Sequence, residues 1–166
     1  MKKLSKDEVL GLFYKLGFFK SFTPEEKYQL ADFESHTFTV EPSQFIVEEG
    51  DQDRNLYILL KGSAYVTKSL NPRTSLAQLK PGSVFGEVSL LADHPRITNV
   101  RAADRCLVMK MDATFIKNLG PEFEIKIKDQ LIRVLVNKLE RMNQALLKVR
   151  KRVPEDEWKL LFDPDV

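Results

Sequence analysis

Between His36 and Asp112 the chain falls into short segments: "HTFTVEP", "QFIVEEG", "NLYILLKG", "SAYVTKSL", "SLAQLK", "TNVRAAD" and "RCLVMKMD". They are rich in β-branched and aromatic residues and are separated by Gly, Pro, Asn and Asp, so none can continue as a long helix. Short strands at this even spacing predict an antiparallel β-roll or jelly roll. One stretch does not fit the pattern. "FGEVSLLADHPRITNV", residues 85–100, holds an "EVSLLAD" core that reads as a short helix lodged between strands.

The flanks change period. In "SKDEVLGLFYKLGFF", Val9, Leu10, Phe13 and Leu16 form a helical stripe. In "FTPEEKYQLADF", Thr23 is placed as an N-cap, with Pro24 at the first helical position and Glu26 completing a capping box. From about Glu122 to Arg152 the helical period returns with two stripes. Ile127, Leu131, Leu135, Met142, Leu146 and Val149 mark one, and Ile125, Ile132, Val136 and Leu139 the other. Two stripes need two covers: the roll for one, another chain for the other. The fold class expected is α+β, mainly β. Residues 1–120 form the roll with its leading helices, 121–152 a long helix, and 153–166 an acidic-aromatic tail.

Composition excludes several functions. With 26 basic and 24 acidic side chains the net charge is +2, which gives no global field for nucleic acid. The single cysteine, Cys106, permits no internal disulfide and points to a reducing, cytoplasmic setting. No run is long and apolar enough to span a bilayer. His36 and His94, the only histidines, lie far apart and form no metal site. Ser89 lacks a base and an orienting group, so no nucleophile is assembled and the chain reads as a non-enzyme.

The stretch 85–100 carries a resemblance. "LKPGSVFGE" followed by "VSLLADHPR" places Gly82, Gly86, Glu87, Pro95 and Arg96 at the spacing of a phosphate-binding cassette. "EEGDQDRNLYILLKGSAYV" supplies a strand pair flanked by Gly50 and Gly62. Over residues 15–150 the chain resembles the cyclic nucleotide-binding domain of catabolite-activator-type regulators, cyclic nucleotide-dependent kinases and gated channels. The resemblance implies a ligand site at Phe85, Gly86, Glu87, Val88, Ser89, Arg96, Ile97 and Thr98. It implies cyclic AMP, or another cyclic nucleotide, as the ligand, and no cofactor.

The chemistry of such a ligand suits these residue types. Gly86 allows a close backbone approach, and the first turn after it directs N–H groups at an anion. The planar fork of Arg96 matches two phosphate oxygens. Glu87 would repel a phosphate but accepts from a ribose 2′-hydroxyl. After Arg96 the family commonly has two small residues and then Ser or Thr, whereas here Ile97, Thr98 and Asn99 follow. The bulk of Ile97 is expected to narrow the phosphate wall.

The expected function is a free-standing cyclic nucleotide sensor that relays binding through its long helix to a twin subunit or a client protein. The alternative is a nucleotide-independent interaction module on the same fold. Catabolite-activator-type regulators carry a winged helix-turn-helix after this helix. Too few residues follow Pro154 for one, so no sequence-specific DNA binding is expected. The near-heptad run from Leu135 to Val149 predicts a parallel homodimer, with Asn143 available to set register. "KVRKR" at 148–152 suits a helix C-terminus. Trp158, Leu160, Leu161 and Phe162 are expected to fold back onto the chain's own surface, the alternative being a segment that caps the pocket or docks a partner.

Overall fold

The computed structural model describes residues 5–32, 36–155 and 157–158. The chain divides into two compact units, 1–127 and 128–166.

In the first unit, α1 (Lys6–Lys15) opens on Ser5, whose hydroxyl accepts from the Glu8 N–H while the Glu8 carboxylate accepts from the Ser5 N–H. This reciprocal box satisfies two N–H groups that the first turn leaves unpaired. After a 3-10 turn at Gly17–Phe19, α2 (Pro24–Asp32) begins with the box read from the sequence. The Thr23 N–H donates to Glu26 Oε2 at 2.7 Å and the Glu26 N–H donates to Thr23 Oγ1 at 3.2 Å. Phe13, Phe18, Phe19 and Phe22 pack ring on ring beneath these helices, and Phe123 joins Phe22 at 5.9 Å between centroids.

Eight strands follow among the described residues: β1 (Thr37–Val40), β2 (Phe45–Val47), β3 (Leu56–Lys61), β4 (Ala64–Lys68), β5 (Asn71–Leu79), β6 (Val84–Phe85), β7 (Asn99–Ala102) and β8 (Cys106–Met111). They form two four-stranded antiparallel sheets, ordered β1-β8-β3-β6 and β2-β7-β4-β5. The fold is α+β with the roll expected. Val40, Leu59, Ala64, Val100, Ala102 and Val108 fill the interior between the sheets. The β3–β4 turn requires Gly62, at φ +88°. A Cβ there would stand 2.6 Å from the Arg105 carbonyl oxygen and from Asp104 Oδ1. The Asp104 carboxylate instead accepts from the Ser63 N–H at 2.8 Å and from its hydroxyl at 2.7 Å, locking the turn.

Three elements differ from the sequence reading. β5 begins at Asn71, earlier than "SLAQLK", because Pro72 is tolerated on a sheet edge where no ladder hydrogen bond is lost. β6 has only two residues, too few to show a period. Ahead of the long helix stands α4 (Ala113–Asn118), capped by Asp112 Oδ1, which accepts from the Phe115 N–H at 2.6 Å. The short helix between β6 and β7 is α3 (Glu87–Ala92).

The long helix α5 runs from Pro121 to Arg150. Ile127 and Leu131 are buried, whereas Ile132, Val136, Leu139, Met142, Leu146, Leu147 and Val149 are exposed. In the second unit, Arg150 lies 5.2 Å from the Trp158 ring centroid and donates to Glu155 Oε2 at 3.1 Å. Leu160, Leu161 and Phe162 lie outside the described residues. Among the described residues no helix is long and apolar enough to cross a membrane, and no group of His, Cys, Asp and Glu is placed to hold a metal ion.

Candidate functional site

Arg96 is the centre of the cassette. Its side chain is 2% exposed, so its charge must be compensated within the fold. One Nη donates to the Gly86 carbonyl oxygen at 3.0 Å. The other donates to Asp53 Oδ2 at 2.8 Å and to the Asn55 carbonyl oxygen at 2.6 Å. The backbone is pinned as well: the Arg96 N–H donates to the Asp51 carbonyl oxygen and the Gly50 N–H to the Arg96 carbonyl oxygen, both at 2.8 Å. The cassette end is thereby tied to the loop between β2 and β3.

Asp53 organises that loop. It accepts from Arg96, from the Asn55 N–H at 3.0 Å, from the Asn55 side-chain amide, and from the Tyr57 hydroxyl at 2.5 Å. Partial burial pushes the Asp53 carboxyl up, but the Tyr57 and Arg96 hydrogen bonds and the Arg96 charge outweigh it and hold the group below its usual range. Burial and the neighbouring carboxylate drive the Tyr57 hydroxyl well above its ordinary pKa. The Tyr57 ring stacks on Phe85 at 5.4 Å and lies 5.3 Å from the Arg96 guanidinium carbon. Arg96 is therefore fixed on three sides, by an acid, by two carbonyls and by an aromatic ring.

Gly86 sits at φ +82° as the N-cap of α3. A Cβ at this position would collide with Arg96 Nη1 and stand 2.6 Å from the Asn55 carbonyl oxygen. Glycine is thus demanded twice, by the left-handed backbone and by the guanidinium against it. Among the described residues, Arg96 Nε is a buried side-chain donor without a partner. Such a group costs about 1–3 kcal/mol, so its retention needs an explanation.

The structure brings Gly86, Glu87, Ser89 and Arg96 together in or beside the buried part of the cassette, and all but Gly86 are fully buried. Phe85 is a core residue against Tyr57. Val88 and Thr98 are half-buried. Ile97 is 44% exposed, so its side chain does not fill the interior. His94 is exposed, with Nδ1 2.9 Å from the Pro95 carbonyl oxygen. Cys106 is buried, as read, and burial raises its thiol pKa. Asn99 ties neighbouring segments: its Oδ1 accepts from the Glu49 N–H at 2.8 Å and its Nδ2 donates to Ser69 Oγ at 3.0 Å. Sequence reasoning missed Asp53 and Tyr57. The available signal was an acid two residues before Asn55, the pattern of an Asx turn that fixes the carboxylate locally.

Comparison with known proteins agrees with this fold. The family model described as "Cyclic nucleotide-binding domain" matches residues 37–120, just over half of the chain. The chain belongs to the cyclic nucleotide-binding domain family. It is 37% identical over 106 residues to a cAMP-dependent protein kinase regulatory subunit of Debaryomyces hansenii, covering 63% of this chain and 23% of that protein. The chain thus spans about a quarter of the length of the curated relatives it matches. Among solved structures, a cyclic nucleotide-binding domain from Methylobacillus flagellatus superposes with a TM-score of 0.72 at 21% identity, covering 90% of this chain and 85% of that one. The Thermus thermophilus catabolite activator protein gives a TM-score of 0.67 at 23% identity, covering 80% of this chain and 62% of that one. These two likenesses are likenesses of fold.

Proposed function

We propose that the chain binds a cyclic nucleoside monophosphate in the cassette, with cyclic AMP the favoured ligand. The observation that carries this reading is the buried Arg96 Nε without a partner, on a guanidinium whose Nη groups are held by Asp53, Asn55 and Gly86. One edge of the fork is used to fix its direction. The buried Nε–H suits a singly charged phosphodiester, for which a charge-assisted hydrogen bond contributes about 1.5–3 kcal/mol. Glu87, buried at the start of α3 and one residue after Gly86, is assigned to the ribose 2′-hydroxyl. Adenine is favoured because no side chain of the cassette stands out as a reader of guanine. The protein is read as a regulatory binding protein, not an enzyme, acting in the cytoplasm.

Binding is relayed through α5 to a twin subunit or a client. For a relay the nucleotide must favour one arrangement of the helix over another. Met142 is 68% exposed, and Leu146 and Val149 are exposed on the same helix, a stripe suited to a parallel homodimer. A titration of the purified chain with cyclic AMP, cyclic GMP and 2′-deoxy cyclic AMP tests the ligand. Saturable binding of cyclic AMP, weakened for the 2′-deoxy analogue, supports the reading, and no binding at millimolar ligand sinks it. Sedimentation of Met142→Glu with Leu146→Glu tests the relay surface: a wild-type dimer that becomes a folded monomer supports it. A wild type already monomeric at about tens of micromolar rejects it.

A further inference from the structure

The β2-β7-β4-β5 sheet has a second face, directed away from the roll interior. On it Phe45 pairs with Arg101, Arg101 with Tyr65, and Tyr65 with Gln78, one row across all four strands. Their strand neighbours Val66, Val100 and Ala102 belong to the interior, so the alternation of β structure sends this row outward. Phe45, Tyr65 and Arg101 of this row, with the adjacent Thr67 and Arg73, line a groove of about 420 Å³. That volume lies within the range of small-ligand sites.

Two cations and no acid line this groove. The Arg101 Nε donates to the Ser43 carbonyl oxygen at 2.6 Å, and its guanidinium carbon lies 5.6 Å from the Phe45 ring centroid. These contacts fix the fork and leave both Nη groups for another partner. Among the described residues no ion pair involves Arg73 or Arg101, although the chain pairs Arg54 with Asp93, Lys68 with Glu49 and Arg105 with Glu41 elsewhere on its surface. Two neighbouring guanidinium groups left without a carboxylate repel each other, and an anion between them removes that cost. The hydroxyls of Tyr65 and Thr67 add donors suited to a group with three terminal oxygens, and the exposed Tyr65 ring offers a stacking face.

We propose that this outer groove is a second ligand site, separate from the cassette, that takes a phosphate ester carried beside a flat ring. Arg101 and Arg73 hold the phosphate, and Tyr65 stacks on the ring. The site stands on different residues from the cassette and does not require that the cassette bind nucleotide.

The test is a titration of the isotope-labelled full chain with phenyl phosphate, followed by amide shifts in NMR correlation spectra. Saturable shifts are expected at residues 65–67, 73–78 and 99–101. Arg73→Ala with Arg101→Ala should weaken binding by about tenfold or more while leaving the melting temperature unchanged, since both side chains are surface groups. Inorganic phosphate should bind more weakly than phenyl phosphate. Parallel titrations with AMP and with phosphotyrosine identify the source of the ring, whichever binds the more tightly. The proposal is overturned by shifts confined to 86–98, by no shifts at about 10 mM ligand, by equal affinity in the double variant, or by equal affinity for inorganic phosphate.

Discussion

Arg96 and Arg101 lie five residues apart, yet the fold treats them oppositely. Arg96 points inward and is matched by Asp53, two backbone carbonyls and the Tyr57 ring. Arg101 points outward, where a single carbonyl and the Phe45 ring suffice. The difference follows from solvation. A single guanidinium exposed to water is not forced to find an acid within the fold, whereas a buried one without compensation would cost several kcal/mol. The compensation at Arg96 stops one hydrogen bond short, at Nε. Three acceptors and an aromatic face surround one cation and leave one buried donor unmatched, and this is the feature on which the proposed binding of an external anion rests.

The largest expected effect comes from exchanging the two arginines' fates. Arg96→Ala should weaken cyclic AMP binding by about 2–5 kcal/mol, because it removes one partner of a buried charge pair and of the phosphate together. Arg101→Ala should leave cyclic AMP affinity unchanged and alter stability by no more than about 0.5 kcal/mol, as expected of a surface group. Calorimetric titration and thermal melts of both variants check this. Equal effects on cyclic AMP binding would erase the contrast between the two regions.

Gly86→Ala is a smaller perturbation of the inner site. The left-handed backbone alone costs a side chain about 1–2 kcal/mol, and the added Cβ meets the Asn55 carbonyl and the Arg96 guanidinium. The variant should melt lower and bind cyclic AMP more weakly, whereas Gly50→Ala, whose Cβ meets nothing within 4 Å, should pay for backbone strain alone. Denaturant unfolding of the pair separates steric contact with Arg96 from strain.

The acid limb of stability gives the smallest effect. Asp53 is held below its ordinary pKa in the folded protein, so its contribution is fully present above the unfolded carboxylate value. It is lost as pH falls through the depressed folded value. Glu49, held at about 2 by the Ser69 N–H and the Lys68 ammonium, is lost over the same acid range. Asp53→Asn should flatten the fall in melting temperature below about pH 4, the ordinary carboxylate range, and leave a residual fall from Glu49. An unchanged profile would mean that Asp53 is not charge-paired with Arg96 in solution.

The contrast between the two regions also explains what could be read from the sequence. Gly86, Glu87 and Arg96 could be picked out because they sit within one contiguous stretch, at the two ends of the six-residue α3 and its following loop. The strands were legible through alternation, and α5 through its period. Asp53 was not, because it reaches Arg96 across 43 residues and is one of several acids in "EEGDQDRN". Local pattern cannot say which of Asp51 and Asp53 turns inward. α4 and β6 escaped because six and two residues are too short to display a period. The expectation for Ile97 rested on size alone. The side chain is 44% exposed, which leaves that expectation to the binding measurement.

The Arg96 Nε–H resonance offers the most direct measurement. In a proton–nitrogen spectrum of the arginine side chains it is assigned by its absence in Arg96→Lys. On saturation with cyclic AMP this resonance should move downfield, as expected of a new charge-assisted hydrogen bond, while the Arg101 signal stays in place. Binding of cyclic AMP with the Arg96 signal unmoved, or no binding at all, would contradict the account.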